Sequence, residues 1–362
     1  MKLKLNIIVL VAAMLPLGCG SGPANSSAVL AATTRADRSE IWITEQATDR
    51  IAILLGPHGS GARETIELGA GTGPHMTTFS PDDRYAYVSG MGNGDLDVIR
   101  TDTQQVVDTL HLGKVATHQA KPSPDGSFLL VAQVGSKSLI KVSADEASQR
   151  WIPGAALSFA STGRAPICTV FRNDGERAYV SLNPTGLAIV DVPTMTLVTI
   201  LPTDGFIACG MVRSKDGRSI TLAASGGGGH IYQFNIATET LADRGTLGAV
   251  DWHSFNMVPN GTIGFGTVPN GDEMRLIDLK GDRASTLAAL SLHPTPGAGS
   301  DQPDSMGVSG DFVYVSLRAS GKLAVVNFRK RTVSYLSVAP AAVSINPANC
   351  MGCAVHGVAI RS

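Results

Sequence analysis

Pro74-His75-Met76-Thr77-Thr78-Phe79-Ser80-Pro81-Asp82-Asp83, followed by Tyr85-Ala86-Tyr87-Val88-Ser89, is the stretch whose reading decides the fold. It is an extended segment, a tight turn and a second extended segment. A glycine-rich turn leads on to Leu96-Asp97-Val98-Ile99, and then to Val106-Val107-Asp108-Thr109-Leu110. Four short runs, each alternating or β-branched and bounded by turn residues, predict a four-stranded antiparallel unit.

The unit recurs along the chain at the spacing of roughly 40–50 residues expected of a propeller blade. Ser123-Pro124-Asp125-Gly126 precedes Phe128-Leu129-Leu130-Val131, and Arg172-Asn173-Asp174-Gly175 precedes Tyr179-Val180-Ser181. Lys215-Asp216-Gly217, Pro259-Asn260-Gly261 and Ser309-Gly310-Asp311 open three more copies. Asp-Gly and Asn-Gly pairs suit tight hairpins because both residues tolerate positive φ.

Two fragments remain. Ile41-Trp42-Ile43, Ile51-Ala52-Ile53 and Thr65-Ile66-Glu67-Leu68 read as strands two to four of a blade that lacks its first strand. His356-Gly357-Val358-Ala359-Ile360 reads as a first strand with nothing after it. Joined, they complete a seventh blade and cover two sheet edges. The expected fold is all-β, a seven-bladed propeller over residues 40–362 whose C-terminal strand closes the first blade.

Bulk properties agree. A hydrophobic content of 43% argues against disorder, and 40 glycines suit many tight turns. A formal net charge of −1 without a long basic run argues against a nucleic-acid partner. Lys2, Lys4 and the apolar run from Ile7 to Leu15 read as an export signal too short to span a bilayer. The signal is placed at residues 1–19 and a small, polar, flexible tether at residues 20–39. Pro16-Leu17-Gly18-Cys19 resembles a bacterial lipobox. Gly18 and Cys19 fit, whereas Pro16 stands where an aliphatic residue is usual. The expectation is a lipid anchor on Cys19 and a periplasmic or outer-envelope location.

The turn-plus-strand pattern, with Tyr-Val-Ser at residues 87–89, 179–181 and 314–316, resembles the YVTN-repeat, lactonase-like family of bacterial propellers. That resemblance implies a fold. It does not name an activity, because such propellers host many.

Function is sought in a recurring slot. His75 lies four residues before the apolar residue that ends its first strand. The same slot holds His118, His253, Asp304 and His356 in other blades, so it takes four of the eight histidines. First strands line the axis, and these five residues come from neighbouring blades, which predicts a continuous arc at the channel mouth. The two remaining slots hold Ile167 and Ala208, each followed by a cysteine, Cys168 and Cys209.

Imidazoles with a carboxylate and nearby thiols are first of all metal ligands, and they suit copper or zinc better than calcium or magnesium. Copper is preferred for an exported protein, with zinc as the second choice. Cys168, Cys209 and Cys353 are additional candidate ligands. Being one residue out of phase, Cys168 and Cys209 are read as a disulfide or buried thiols ahead of ligation. Cys350-Met351-Gly352-Cys353 is read as a local disulfide; with no adjacent histidine it does not attach haem. A metal-free ligand site and a merely solvated channel stay open. His58, His111 and His293 read as surface residues, and Trp252 as packing between blades. Residues 226–229 with His230 lack the ending of a phosphate-binding loop.

Four functional readings follow. The first is a metal-dependent oxidoreductase acting on a small molecule, with a cytochrome or cupredoxin as electron partner. The others are a metal capture or delivery protein, a lactonase-like hydrolase or lyase, and a protein-interaction scaffold.

Overall fold

The computed structural model describes residues 39–113, 116–207, 209–248, 251–294, 299–342 and 353–361. The expected leader, nearly all of the tether, Cys19, Ala208 and Cys350 lie outside the described residues. The described strands form seven four-stranded antiparallel sheets arranged round a common axis.

The split blade closes as expected. Val358–Arg361 pairs antiparallel with Glu40–Glu45, with Trp42 opposite Ala359, and Arg50–Leu55 and Arg63–Glu67 complete blade 1. The inner strands of blades 2 to 7 are Pro74–Phe79, Thr117–Pro122, Ala165–Phe171, Val212–Arg213, Phe255–Met257 and Pro303–Ser309.

Strict alternation along the second strands supplies the interfaces between blades. Tyr85 and Tyr87 pack towards blade 3 against Leu129, Val131 and Trp151, while Ala86 and Val88 pack towards blade 1 against Trp42 and Ile51. The same division recurs round the ring, and Tyr314 of blade 7 meets Ile41 and Ile43 of blade 1. Trp252 lies buried between Ala223 and Ile231 of blade 5 and Met257 and Val268 of blade 6, as expected.

The Asp turns have one cause. Asp82, Asp125, Asp174 and Asp216 each accept the amide two residues on, at 3.0 to 3.1 Å, and Asn260 does the same at 3.1 Å. Gly126, at φ 75°, occupies the left-handed position that this turn requires.

Candidate metal centre

Three of the five slot residues, and Cys168, sit in β-bulges. Register shifts between Pro74 and Thr77, Thr117 and Gln119, Pro166 and Thr169, and Pro303 and Met306. These intervals contain His75, His118, Cys168 and Asp304. A bulge leaves an amide without its ladder partner and re-aims the side chain beside it.

A hydroxyl on the second strand takes up that amide. Met76 N–H donates to Ser89 Oγ at 3.1 Å, and Ser89 Oγ donates to the His118 carbonyl of the next blade at 2.7 Å. Gly357 N–H donates to Thr44 Oγ1, which donates to the His75 carbonyl at 3.0 Å. Ser254 N–H donates to Thr267 Oγ1, which donates to the Asp304 carbonyl at 2.7 Å. Ser181 and Ser316 accept the amides of Cys168 and Ser305. The serine of each Tyr-Val-Ser motif therefore holds the bulge amide of its own blade, and the straps of Ser89, Thr44 and Thr267 reach the slot residue of the next blade.

The slot residues follow one another round the axis: His118 lies edge-on to His75, His75 stacks on His356, and Asp304 lies beside both His356 and His253. Two groups have their potential ligand atoms within 4.8 Å of one another: His253, Asp304 and His356, and His118 with the neighbouring Cys168 and Cys209. Cys168 and Cys209 are both free cysteines, with Sγ atoms 3.1 Å apart, and Cys209 Sγ lies 3.8 Å from His118 Nε2. Buried free thiols are one of the two states expected of them, and they nonetheless lie beside His118. Strict alternation fails at the blade 4 bulge, and Cys168 turns inward.

In the first group, His253 Nδ1 contacts Asp304 Oδ1 directly. His356 Nδ1 lies 3.0 Å from the His75 carbonyl, which can only accept, so Nδ1 carries the proton and Nε2 presents its lone pair. Among the described residues that Nε2 is buried without a hydrogen-bond partner, 3.4 Å from Asp304 Oδ2. Two donors bound to one tetrahedral ion at about 2.0–2.1 Å stand roughly 3.3 Å apart, so this spacing suits a shared cation. A backbone carbonyl holding the distal imidazole nitrogen is also the usual support for a ligating histidine.

Charge follows from burial. Desolvation pushes the His356 imidazole down to about 4, against the opposing pull of Asp304 and with help from His253 and His118. Burial, with His356, His118 and His253 around it, also holds His75 well below the ordinary histidine range. Burial alone would raise the Asp304 carboxyl, but His253, His356 and Arg318 outweigh it and hold the group below the usual carboxylate range. In the second group, the Cys209 S–H donating to Cys168, with His118 beside it, outweighs burial and brings the Cys168 thiol down to about 5; the same bond pushes Cys209 up.

His75 stands outside both groups, stacked on His356 and edge-on to His118, with Gln46 Nε2 3.2 Å from its Nδ1. Cys353 is disulfide-bonded and fully buried. His111 is exposed beside Asp95, and His58 packs on Phe312. His293 is no simple surface residue, because it lies partly buried against Asp301 and Asp272. His230 is held between Asp243 and Asp204.

The sequence reading missed Gln46 and Arg318. Arg318 Nη1 lies 3.5 Å from Asp304 Oδ2, and its Nε donates to Gln302 at 2.8 Å. A signal for both exists: each lies two residues beyond a strap hydroxyl, Thr44 or Ser316. Met91, Asn183 and Pro269 hold the same position and, with Arg318, line a cavity of about 330 Å³ over His75, His118 and His253. Its volume is that of a small-molecule site.

Fold and site together define a seven-bladed β-propeller with two clusters of potential ligands at one end of its channel. No protein-family model matches the chain, and no curated protein matches it. Solved structures do match. Hydrazine synthase of Kuenenia stuttgartiensis is 16% identical with a TM-score of 0.61, over 81% of this chain and 96% of that one. Dihydro-heme d1 dehydrogenase NirN, solved in complex with DHE, is 16% identical with a TM-score of 0.59, over 88% and 74%. The Cps50 (Swd1) propeller domain of Myceliophteria thermophila is 11% identical with a TM-score of 0.58, over 75% and 88%. At these identities the likeness concerns the fold alone.

Proposed function

We propose that the protein binds metal at the channel mouth, copper in preference to zinc, and uses it for redox turnover of a small molecule. The observation that carries this reading is the approach of two lone-pair atoms, His356 Nε2 and Asp304 Oδ2, at 3.4 Å in a buried site. Two acceptors facing each other are favourable only with a cation between them or a proton on one. Burial disfavours the proton on His356.

The donor sets differ in softness. His118 with Cys168 and Cys209 is a soft set that suits Cu(I) or zinc, and His253, Asp304 and His356 form a harder set that suits a divalent ion. Adjacent centres of unequal softness fit electron transfer better than simple storage. The cavity above them would admit the substrate. In this reading the protein is exported, anchored through Cys19, and exchanges electrons with a cytochrome or cupredoxin.

A metal-free hydrolase or lyase has one observation in its favour. Arg318 already supplies positive charge to Asp304, and His253 paired with that carboxylate has the form of a supported general base.

The test is metal content, absorption and EPR spectra of protein purified from its native envelope. Copper that changes redox state with turnover supports the enzyme, and copper that exchanges without turnover favours capture. His253→Ala, Asp304→Asn and His356→Ala should lower occupancy, and exposed His111→Ala should not. Wild-type protein that takes up neither copper nor zinc on reconstitution overturns the metal reading and leaves the hydrolase.

A further inference from the structure

The opposite end of the channel holds a second, larger cavity of about 510 Å³, lined by residues from the later parts of the inner strands. Its polar lining is one-sided. Lys121 and Arg213 line it, no carboxylate does, and neither forms an ion pair among the described residues. Cys168 forms part of the wall.

The amides that line it are turned by their backbone neighbours. Thr169 N–H can only donate, and it donates to Gln119 Oε1 at 2.7 Å, so Gln119 presents its NH₂ group as the remaining end. Met257 N–H likewise donates to Asn256 Oδ1 at 2.8 Å, which leaves the Asn256 NH₂ group. Arg213 spends one nitrogen on the Phe171 carbonyl at 2.8 Å and keeps further N–H groups. Thr169 Oγ1, on a residue only 3% exposed, is buried without a partner among the described residues in the same lining. Gln119 and Lys121 are two residues apart on one strand and face the same side by alternation.

Around these donors the lining is apolar, with Phe79, Phe171, Phe255 and Met211. Two cations, two amide NH₂ groups and an unpartnered hydroxyl call for an oxyanion, and the aromatic lining calls for an apolar body attached to it.

We propose that this cavity is a binding site for a small organic carboxylate, its carboxylate met by Lys121 and Arg213 and its hydrocarbon part lying against Phe171 and Phe255. The lowering of the Lys121 ammonium by burial, and then by Arg213, agrees with a site in which an anion would relieve repulsion. The site is separate from the metal groups except at Cys168, which borders it.

The test is calorimetric titration of the full protein, as purified, with sodium benzoate and, separately, sodium sulfate. Benzoate should bind saturably and more tightly than sulfate. Lys121→Met and Arg213→Gln should each weaken it by about tenfold or more, the effect of losing a charge-assisted hydrogen bond. His356→Ala, at the other end, should leave benzoate affinity unchanged whether or not metal is lost, which separates this proposal from the metal reading. Thr169→Val, nearly isosteric, serves should Lys121→Met fail to fold, and should weaken benzoate. No saturable heat with benzoate, sulfate binding as tightly as benzoate, or benzoate binding unchanged in the cavity variants would each overturn the proposal.

Discussion

The His75 imidazole stacks on that of His356 with ring centroids 3.7 Å apart and planes inclined by 30°. Two imidazolium ions could not share that contact, and burial pushes both groups down, His356 to about 4. Above about pH 6.5, the free-histidine value, both rings are neutral in folded and unfolded chains and nothing is lost. Below it the unfolded chain takes up protons that the folded one refuses, so stability falls with pH down to about 4. For His356 alone the loss is roughly 3 kcal/mol across that window. Urea midpoints of metal-free protein at several pH values should show this slope, and His356→Gln should reduce it. A midpoint flat between pH 6.5 and 4.5 would contradict neutral burial.

The two thiols should behave differently. With Cys168 brought down to about 5 and Cys209 raised, alkylation of metal-free protein near pH 6 should reach Cys168 first, since the thiolate is the nucleophile. Cys168 also lines the far cavity and Cys209 does not. Mass spectrometry of the alkylated peptides decides the order, and bound metal should slow both. Equal modification would remove the asymmetry.

Ser89→Ala strips a partner from the Met76 amide and the His118 carbonyl together. The expected cost is about 1–3 kcal/mol in denaturant unfolding, the range for a buried hydrogen-bonding group left unsatisfied. Ser89→Thr should restore it, because Thr44 and Thr267 do the same work in other blades. If Ala and Thr variants unfold alike, the strap contributes nothing.

Deletion of residues 354–362 removes the closing strand. Val355 is fully buried in the cluster shared by blades 7 and 1, and Val358 and Ile360 pack against it. Losing them should cost on the order of 3–5 kcal/mol and expose strand edges, giving aggregation or a lower melting temperature. An unchanged melting temperature would refute closure by this segment.

Cys19→Ser should move the protein from the membrane fraction to the soluble fraction without changing its circular dichroism, if Cys19 carries a lipid. Wild-type protein found soluble and free of lipid by mass spectrometry would end the anchoring proposal.

The sequence by itself determined the blades, their turns and the closure, because those rest on local chemistry repeated along the chain. An Asp that accepts the amide two residues on, or a strand alternating Tyr-Val-Ser, signals the same structure wherever it stands. It also placed a histidine or aspartate in the same slot of five blades, and put Trp252 between blades. Which of these side chains meet was decided only by the tertiary structure. His356 reaches the carbonyl of His75 across a separation of 281 residues, and that contact sets its tautomer. The bulges break the two-residue alternation at the slot itself, so period alone could not tell that Cys168 turns inward beside His118. Gln46 and Arg318 entered the site from just beyond the ends of second strands, and Lys121 and Arg213 came together at the far end. In each case the cause is convergence of distant strands on one axis, which no local pattern encodes.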